Sequence, residues 1–133
     1  MELSADIRAF LENRYYATLA TINRDGTPQL SVVWYELQGE EIMLNTAAGR
    51  VKEQNLRRDP RISLCIEAEG SFVTLSGTAA LNDDQSVAHA DIHRLAVRYD
   101  GAESAQRQMA TFSKQHRVTL RMPIERVHAE LDY

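Results

Sequence analysis

Residues 16–37 read YATLATINRDGTPQLSVVWYEL, and the middle of this stretch decides the fold. Two runs rich in β-branched and aromatic residues flank Asn23-Arg24-Asp25-Gly26. An Asp-Gly step between such runs marks a hairpin, because glycine accepts the positive φ that a tight turn needs. A returning strand is expected over residues 28–37, with Leu30, Val32 and Trp34 on one face and Gln29, Ser31, Val33 and Tyr35 on the other. Gln38-Gly39-Glu40 then turns the chain into EIMLNT, residues 41–46. Three consecutive strands on tight connections make an antiparallel meander, since parallel neighbours need long crossovers.

Working outward, Ser4 stands in capping position for a short helix over residues 5–13, where Ile7, Phe10 and Leu11 share a face. After the meander, a small helix over residues 50–57 is stopped by Asp59-Pro60. In RISLCIE, residues 61–67, Ile62, Leu64 and Ile66 face one way and Ser63, Cys65 and Glu67 the other. Ala68-Glu69-Gly70 turns into a fifth strand, FVTLSGTAAL, in which Gly77 predicts a bulge. Asn82-Asp83-Asp84 caps a longer helix carrying Ala88, Ile92, Leu95, Ala96 and Tyr99 at helical spacing. Asp100-Gly101 ends it, and a further helix carries Ala102, Ala105, Met109 and Phe112. In the last strand Val118, Leu120 and Met122 alternate with Arg117, Thr119 and Arg121. The sum is six strands with helices at the edges, a β-barrel of the α+β class in one domain spanning residues 1–133.

Composition narrows the function. With 133 residues, 44% hydrophobic and 26% charged, the chain can bury a core without disulfides and is not disordered. A net charge of -4 argues against nucleic acid as a partner, leaving room only for a local basic patch. A single cysteine, Cys65, fits a reducing compartment. The opening MELSADIRAF carries Glu2, Asp6 and Arg8 and lacks the apolar core of a signal peptide. No stretch approaches the roughly 20 apolar residues of a membrane helix. A cytoplasmic protein with no membrane partner is expected.

The sharpest local anomaly is GRVKEQNLRRDPR. Between positions 50 and 61 five basic residues (Arg50, Lys52, Arg57, Arg58, Arg61) stand against Glu53 and Asp59. Arg50 and Lys52 fall where a strand ends and a helix begins, and a helix N-terminus favours anions through its free amides and dipole. The pair reads as a clamp for phosphate or carboxylate. The plainer reading is a solvated basic turn whose arginines pair with surface carboxylates. His89 and His93 lie four apart but have no third ligand, so no metal site is expected. Cys65 reads as a packing residue. No G-x-S-x-G elbow, P-loop or G-x-G-x-x-G is present. A barrel with an anion clamp and no acid, base or nucleophile set points to a cofactor that carries the chemistry.

The runs ATLATINRDGTPQLSVVWY and LNTAAGRVKEQNLRRDPRISLCIE, followed by a strand ending in SGTAAL, resemble the pyridoxamine 5′-phosphate oxidase-like FMN-binding split-barrel superfamily. NLRRDPR after a basic R-x-K is similar to its flavin/deazaflavin oxidoreductase B branch, which uses coenzyme F420. The resemblance implies a six-stranded antiparallel split β-barrel with peripheral helices, working as a homodimer with cofactor sites between subunits. It implies that Arg50 and Lys52 hold the phosphate and acidic tail of the cofactor, with Asn55 in the matching helix. It sets Gln29 and Ser31 beside the tricyclic ring, and Asn45 and Thr46 near the ring or ribityl chain. Phe72 matches the aromatic that a partner subunit contributes. Three departures stand out: Val32 where some relatives are polar, Ala-Ala-Gly before Arg50 offering backbone rather than side-chain donors, and an end at Tyr133 without the extension used by some pyridoxamine phosphate oxidases. The last argues against pyridoxamine oxidation, and no histidine-based haem site is evident.

The activity implied is F420-dependent hydride transfer to or from an unsaturated or conjugated small molecule. FMN in place of F420 is the alternative within the same class. A non-catalytic carrier of flavin, deazaflavin or haem is the alternative outside it.

Overall fold

The computed structural model describes residues 1–131; Tyr133, on which the reading of the C-terminus turned, lies outside them. Helix α1 (Ala5–Leu11) precedes β1 (Ala17–Ile22) and β2 (Pro28–Val33), the hairpin expected around Gly26, whose φ is 86°. Ser4 flanks α1 but does not cap its backbone, because its hydroxyl donates to Asp6 Oδ1 at 2.6 Å.

The returning strand does not run on to Leu37. It breaks at Trp34-Tyr35, and β3 (Glu36–Gln38) continues in a second sheet with β4 (Glu41–Ala47). A strand that changes sheets leaves backbone groups without ladder partners, and buried ones must be satisfied elsewhere. Helix α3 (Gln85–Asp100) does so: Tyr35 N–H donates to Tyr99 Oη at 3.1 Å, and Arg98 Nε donates to the Tyr35 carbonyl at 3.1 Å. The buried Tyr35 hydroxyl donates to the Leu11 carbonyl at 2.9 Å, tying α1 to the same corner.

Helix α2 (Val51–Arg58) follows β4, then β5 (Arg61–Ala68) and β6 (Ser71–Thr78) pair across Glu69-Gly70, both at positive φ. The expected bulge at Gly77 is absent. Gly77 stays in register with Ile62, and the break falls at Ala79, beyond which β7 (Ala80–Asn82) joins the second sheet. Gly77 is there for space, since a Cβ would sit 2.5 Å from the Pro123 carbonyl oxygen. Helix α4 (Ala102–Phe112), β8 (Arg117–Pro123) and β9 (Arg126–Glu130) complete the order.

The sheets run β2-β1-β5-β6-β9 and β3-β4-β8-β7, with every pairing antiparallel. The chain is thus an α+β split barrel with peripheral helices. Its nine strands among the described residues arise because two of the six expected strands change sheets midway and β9 is added. The main core joins Leu19, Tyr35, Ile42, Leu44, Leu64 and Ile66 between the sheets. A second cluster of Met43, Ile92, Leu95 and Tyr99 sits under α3, with Trp34, Met109 and Phe112 against it. None of the helices among the described residues is long and apolar enough to cross a membrane.

Candidate functional site

The end of β2, the end of β4, the start of α2, the middle of α3, the end of α4 and the start of β8 meet around one cavity of about 210 Å³. Its apolar side is Trp34, Ile92, Leu95 and Phe112; its polar side is Asn45, Thr46, Arg50, Lys52 and Arg117. Trp34 is held flat against Tyr99, with centroids 5.2 Å apart and planes 10° from parallel.

Arg50 and Lys52, the pair expected to form a clamp, both line this cavity. Arg50 flanks the first turn of α2 and Lys52 lies within it, at the positive end of the helix dipole. The Lys52 ammonium is 3.5 Å from Ser31 Oγ. Its pKa is lowered, first by burial and then by the charges of Arg50 and Arg117. Arg117 is 5% exposed and forms no ion pair among the described residues. Burial, followed by repulsion from Arg50, pulls its guanidinium pKa down to about 10. Three cations face one cavity, with no carboxylate among the described residues bound to any of them.

The remaining arginines of the basic run behave otherwise. Arg57 is bound by Glu53 at 2.8 Å and Asp83 at 2.7 Å, and Arg61 by Asp59 at 2.8 Å. Arg58 donates to the Ile22 carbonyl and to Asn55 Oδ1. Pairing with carboxylates is the right account of Arg57 and Arg61, whereas Arg58 is held by a carbonyl and an amide; of the basic run, Arg50 and Lys52 are the residues that line the cavity. Asp83 is drawn down to about 2 by Arg57 and then His116.

Of the other expected contacts, Asn45 and Thr46 line the cavity. Asn45 is fixed by donating to the Ala88 carbonyl at 2.9 Å and Thr119 Oγ1 at 3.2 Å, while its own oxygen accepts from Arg117 Nε at 3.0 Å. Thr46 Oγ1 is buried without a hydrogen-bond partner among the described residues, a cost that a bound polar group relieves. Gln29 and Ser31 share a face of β2, with Ser31 reaching Lys52. Asn55 is turned away: it donates to Thr21 Oγ1 at 3.1 Å and Asn23 Oδ1 at 3.0 Å, fastening α2 to the first hairpin. Phe72 lies on β6 beside His128, apart from this chain's own cavity. The Ala-Ala-Gly amides are also less available than expected, because Ala48 N–H donates to the His116 carbonyl and Gly49 N–H to Glu53 Oε1. Larger grooves of about 450 and 480 Å³ lie over the five-stranded sheet and beside α1. The second is lined by Asp6 and Glu69 and no cation, and the first by Arg61, which Asp59 binds, and Arg126 beside Glu125; of the three, the smaller cavity is the one that gathers three cations.

Sequence reading missed Trp34 and Arg117 as site residues. Alternation put Arg117 on an outward face with Thr119 and Arg121, but α3 packs on β8, and residues 117–120 are all buried. The signal was indirect: two amphipathic helices need a sheet face to cover.

An aromatic platform beside an unsatisfied hydroxyl and three unpaired cations fits a conjugated ring with an anionic chain. Such a site in a split barrel suits a flavin or deazaflavin. The pyridoxamine 5′-phosphate oxidase family model matches residues 3–129, and the chain belongs to that family. It is 29% identical over 133 residues to an F420H(2)-dependent biliverdin reductase of Mycobacterium tuberculosis, covering 98% of this chain and 90% of that protein. A conserved hypothetical protein of Mycobacterium tuberculosis superposes with a TM-score of 0.78 at 29% identity, over 97% of this chain and 84% of its own. A solved F420 reductase gives a TM-score of 0.75 at 23% identity, over 91% and 94% of the two chains, a likeness of fold. The resemblance read from the residues is borne out.

Proposed function

We propose that this protein is an F420-dependent reductase that moves a hydride between the deazaflavin and a conjugated small molecule, working as a homodimer. The observation that carries the reading is the trio Arg50, Lys52 and Arg117 around one cavity without a carboxylate partner among the described residues. Of the three, Arg117 is buried, Lys52 half-buried and Arg50 exposed; unpaired buried charge is costly, and an anionic ligand offsets that cost at Arg117 and Lys52. The F420-dependent relative supports this choice of cofactor.

In this reading Arg50 and Lys52 hold the phosphate at the α2 terminus, and Asn45 and Thr46 receive polar ring or ribityl atoms. Gln29 and Ser31 flank the ring, and Asn55 acts only by anchoring α2 to the hairpin. When bound, F420 supplies the hydride from C5 of its ring. Trp34, Ile92, Leu95 and Phe112 keep water from one side of the cavity and favour a flat partner. The second subunit completes the site with Phe72, because 210 Å³ is below the roughly 300–1,000 Å³ of a full ligand pocket.

Fluorescence titration with F420, with FMN in parallel, tests the proposal. Tight F420 and weak FMN binding is expected; the reverse order moves the protein to the FMN side of the family, and binding of neither overturns the function.

A further inference from the structure

Arg117 is doing something that the phosphate clamp does not require. It sits on β8, across the β4–β8 ladder from Ala47 and far along the chain from Arg50 and Lys52. Its guanidinium lies over the Phe112 ring with Cζ 4.9 Å from the centroid. Nε donates to Asn45 Oδ1 at 3.0 Å and Nη1 to Gln115 Oε1 at 2.6 Å. Nη2 has no partner among the described residues, although the residue is almost wholly buried and lines the cavity.

The orientation is enforced from behind. Asn45 can present only its oxygen to Arg117, because its amide nitrogen donates to Ala88 O and Thr119 Oγ1. Thr119 in turn donates to Asp91 Oδ2 at 2.8 Å. The chain Arg117 to Asn45 to Thr119 to Asp91 therefore runs in one donor direction and ends on a carboxylate without touching the guanidinium with one. A planar, pre-aimed guanidinium that keeps free N–H groups is shaped for two oxygens in a plane, whereas a flexible ammonium suits a phosphate as a point charge.

We propose that Arg117 is a ligand-binding residue that takes a carboxylate of the bound molecule on the inner wall of the cavity, distinct from the phosphate clamp at Arg50 and Lys52. The assignment rests on the oxidoreductase reading and deepens it. The carboxylate belongs either to the acidic tail of the cofactor or to an unsaturated carboxylic acid bound as substrate. Asn45, Thr119 and Asp91 are positioning residues for it.

Trp34 is the single tryptophan of the chain and lines the cavity, so its emission reports occupancy without turnover. Two arms separate the sources. In one, Trp34 quenching is titrated with trans-2-hexenoate and its methyl ester; in the other, deazaflavin fluorescence is titrated with F420 and with its phosphorylated fragment lacking the carboxylate tail. Each is run on the wild type, Arg117→Met and Arg117→Lys, with thermal melting to show that the variants fold. Arg117→Met is expected to weaken the carboxylate-bearing member of one pair by tenfold or more and its uncharged or tail-free counterpart by less than twofold. Loss confined to hexenoate assigns the carboxylate to the substrate, and loss confined to F420 assigns it to the tail. Arg117→Lys, which keeps charge and loses the fork, should recover less than half of the lost binding free energy; it also serves if the methionine variant does not fold. Equal weakening within both pairs, or no weakening in either, overturns the proposal. A wild type that binds hexenoate with this discrimination but neither F420 nor FMN would leave Arg117 standing and remove the cofactor reading.

Discussion

Of the basic residues between positions 50 and 61, Arg57, Arg58 and Arg61 are held by carboxylates, a carbonyl and an amide of the protein itself, whereas Arg50 and Lys52 have no acidic partner among the described residues. Replacing Arg50 and Lys52 together with alanine should weaken cofactor binding by well over tenfold, if charge-assisted bonds of roughly 1.5–3 kcal/mol each are lost. A fluorescence titration checks this, and unchanged affinity would remove the clamp. Arg117 gives the site a pH limit. Its folded-state pKa, depressed by burial to about 10, is the point where the unliganded guanidinium begins to lose its proton. Anion affinity should therefore hold through neutral pH and fall in the alkaline range, where Arg117 and Lys52, whose pKa burial also lowers, both lose their protons; Arg117→Met should remove only the Arg117 share of that fall. Arg50 and Lys52 were legible in the sequence because they are neighbours at a strand-to-helix junction. Arg117 was not, because what makes it a site residue is the folding of α3 over β8, which no local pattern records.

At the scale of elements, local chemistry specified the turns and helices well. The Asp25-Gly26 hairpin, the stop at Asp59-Pro60 and the five buried positions of α3 lie where periodicity and turn residues put them. Asp84 accepts hydrogen bonds from Ser86 N–H and Val87 N–H, and Asp84→Ala should cost about 1 kcal/mol in urea unfolding. What local chemistry could not specify is where a strand leaves one sheet for another. Alternation continues through Trp34-Tyr35 and through Ala79, and only the demand of the second sheet separates the halves. The misplaced bulge has the same origin: a glycine within a strand signals either extra backbone freedom or a close neighbour, and here the neighbour is the Pro123 carbonyl. Gly77→Ala should accordingly destabilise the protein by about 1–3 kcal/mol through overpacking, measured by thermal or urea unfolding.

At the scale of the molecule, the outer face of β2 is apolar and open, with Leu30 60% and Val32 69% exposed. An edge strand with such a face invites a second copy of the chain. Leu30→Asp with Val32→Glu should give a folded monomer in sedimentation; Leu30→Asp alone, which leaves the cavity-lining Val32 in place, should weaken cofactor binding because the partner's share of the site is lost. A dimer that persists with both changes would place the interface elsewhere. The ladder between β4 and β8 has a further consequence. It joins Asn45 to Thr119 across 74 positions, and the cavity exists only where those strands are zipped together. An occupant is therefore a clasp on the most distant closure of the barrel. The chain cannot open there without letting go, so its melting temperature becomes a gauge of how much ligand the surrounding solution holds.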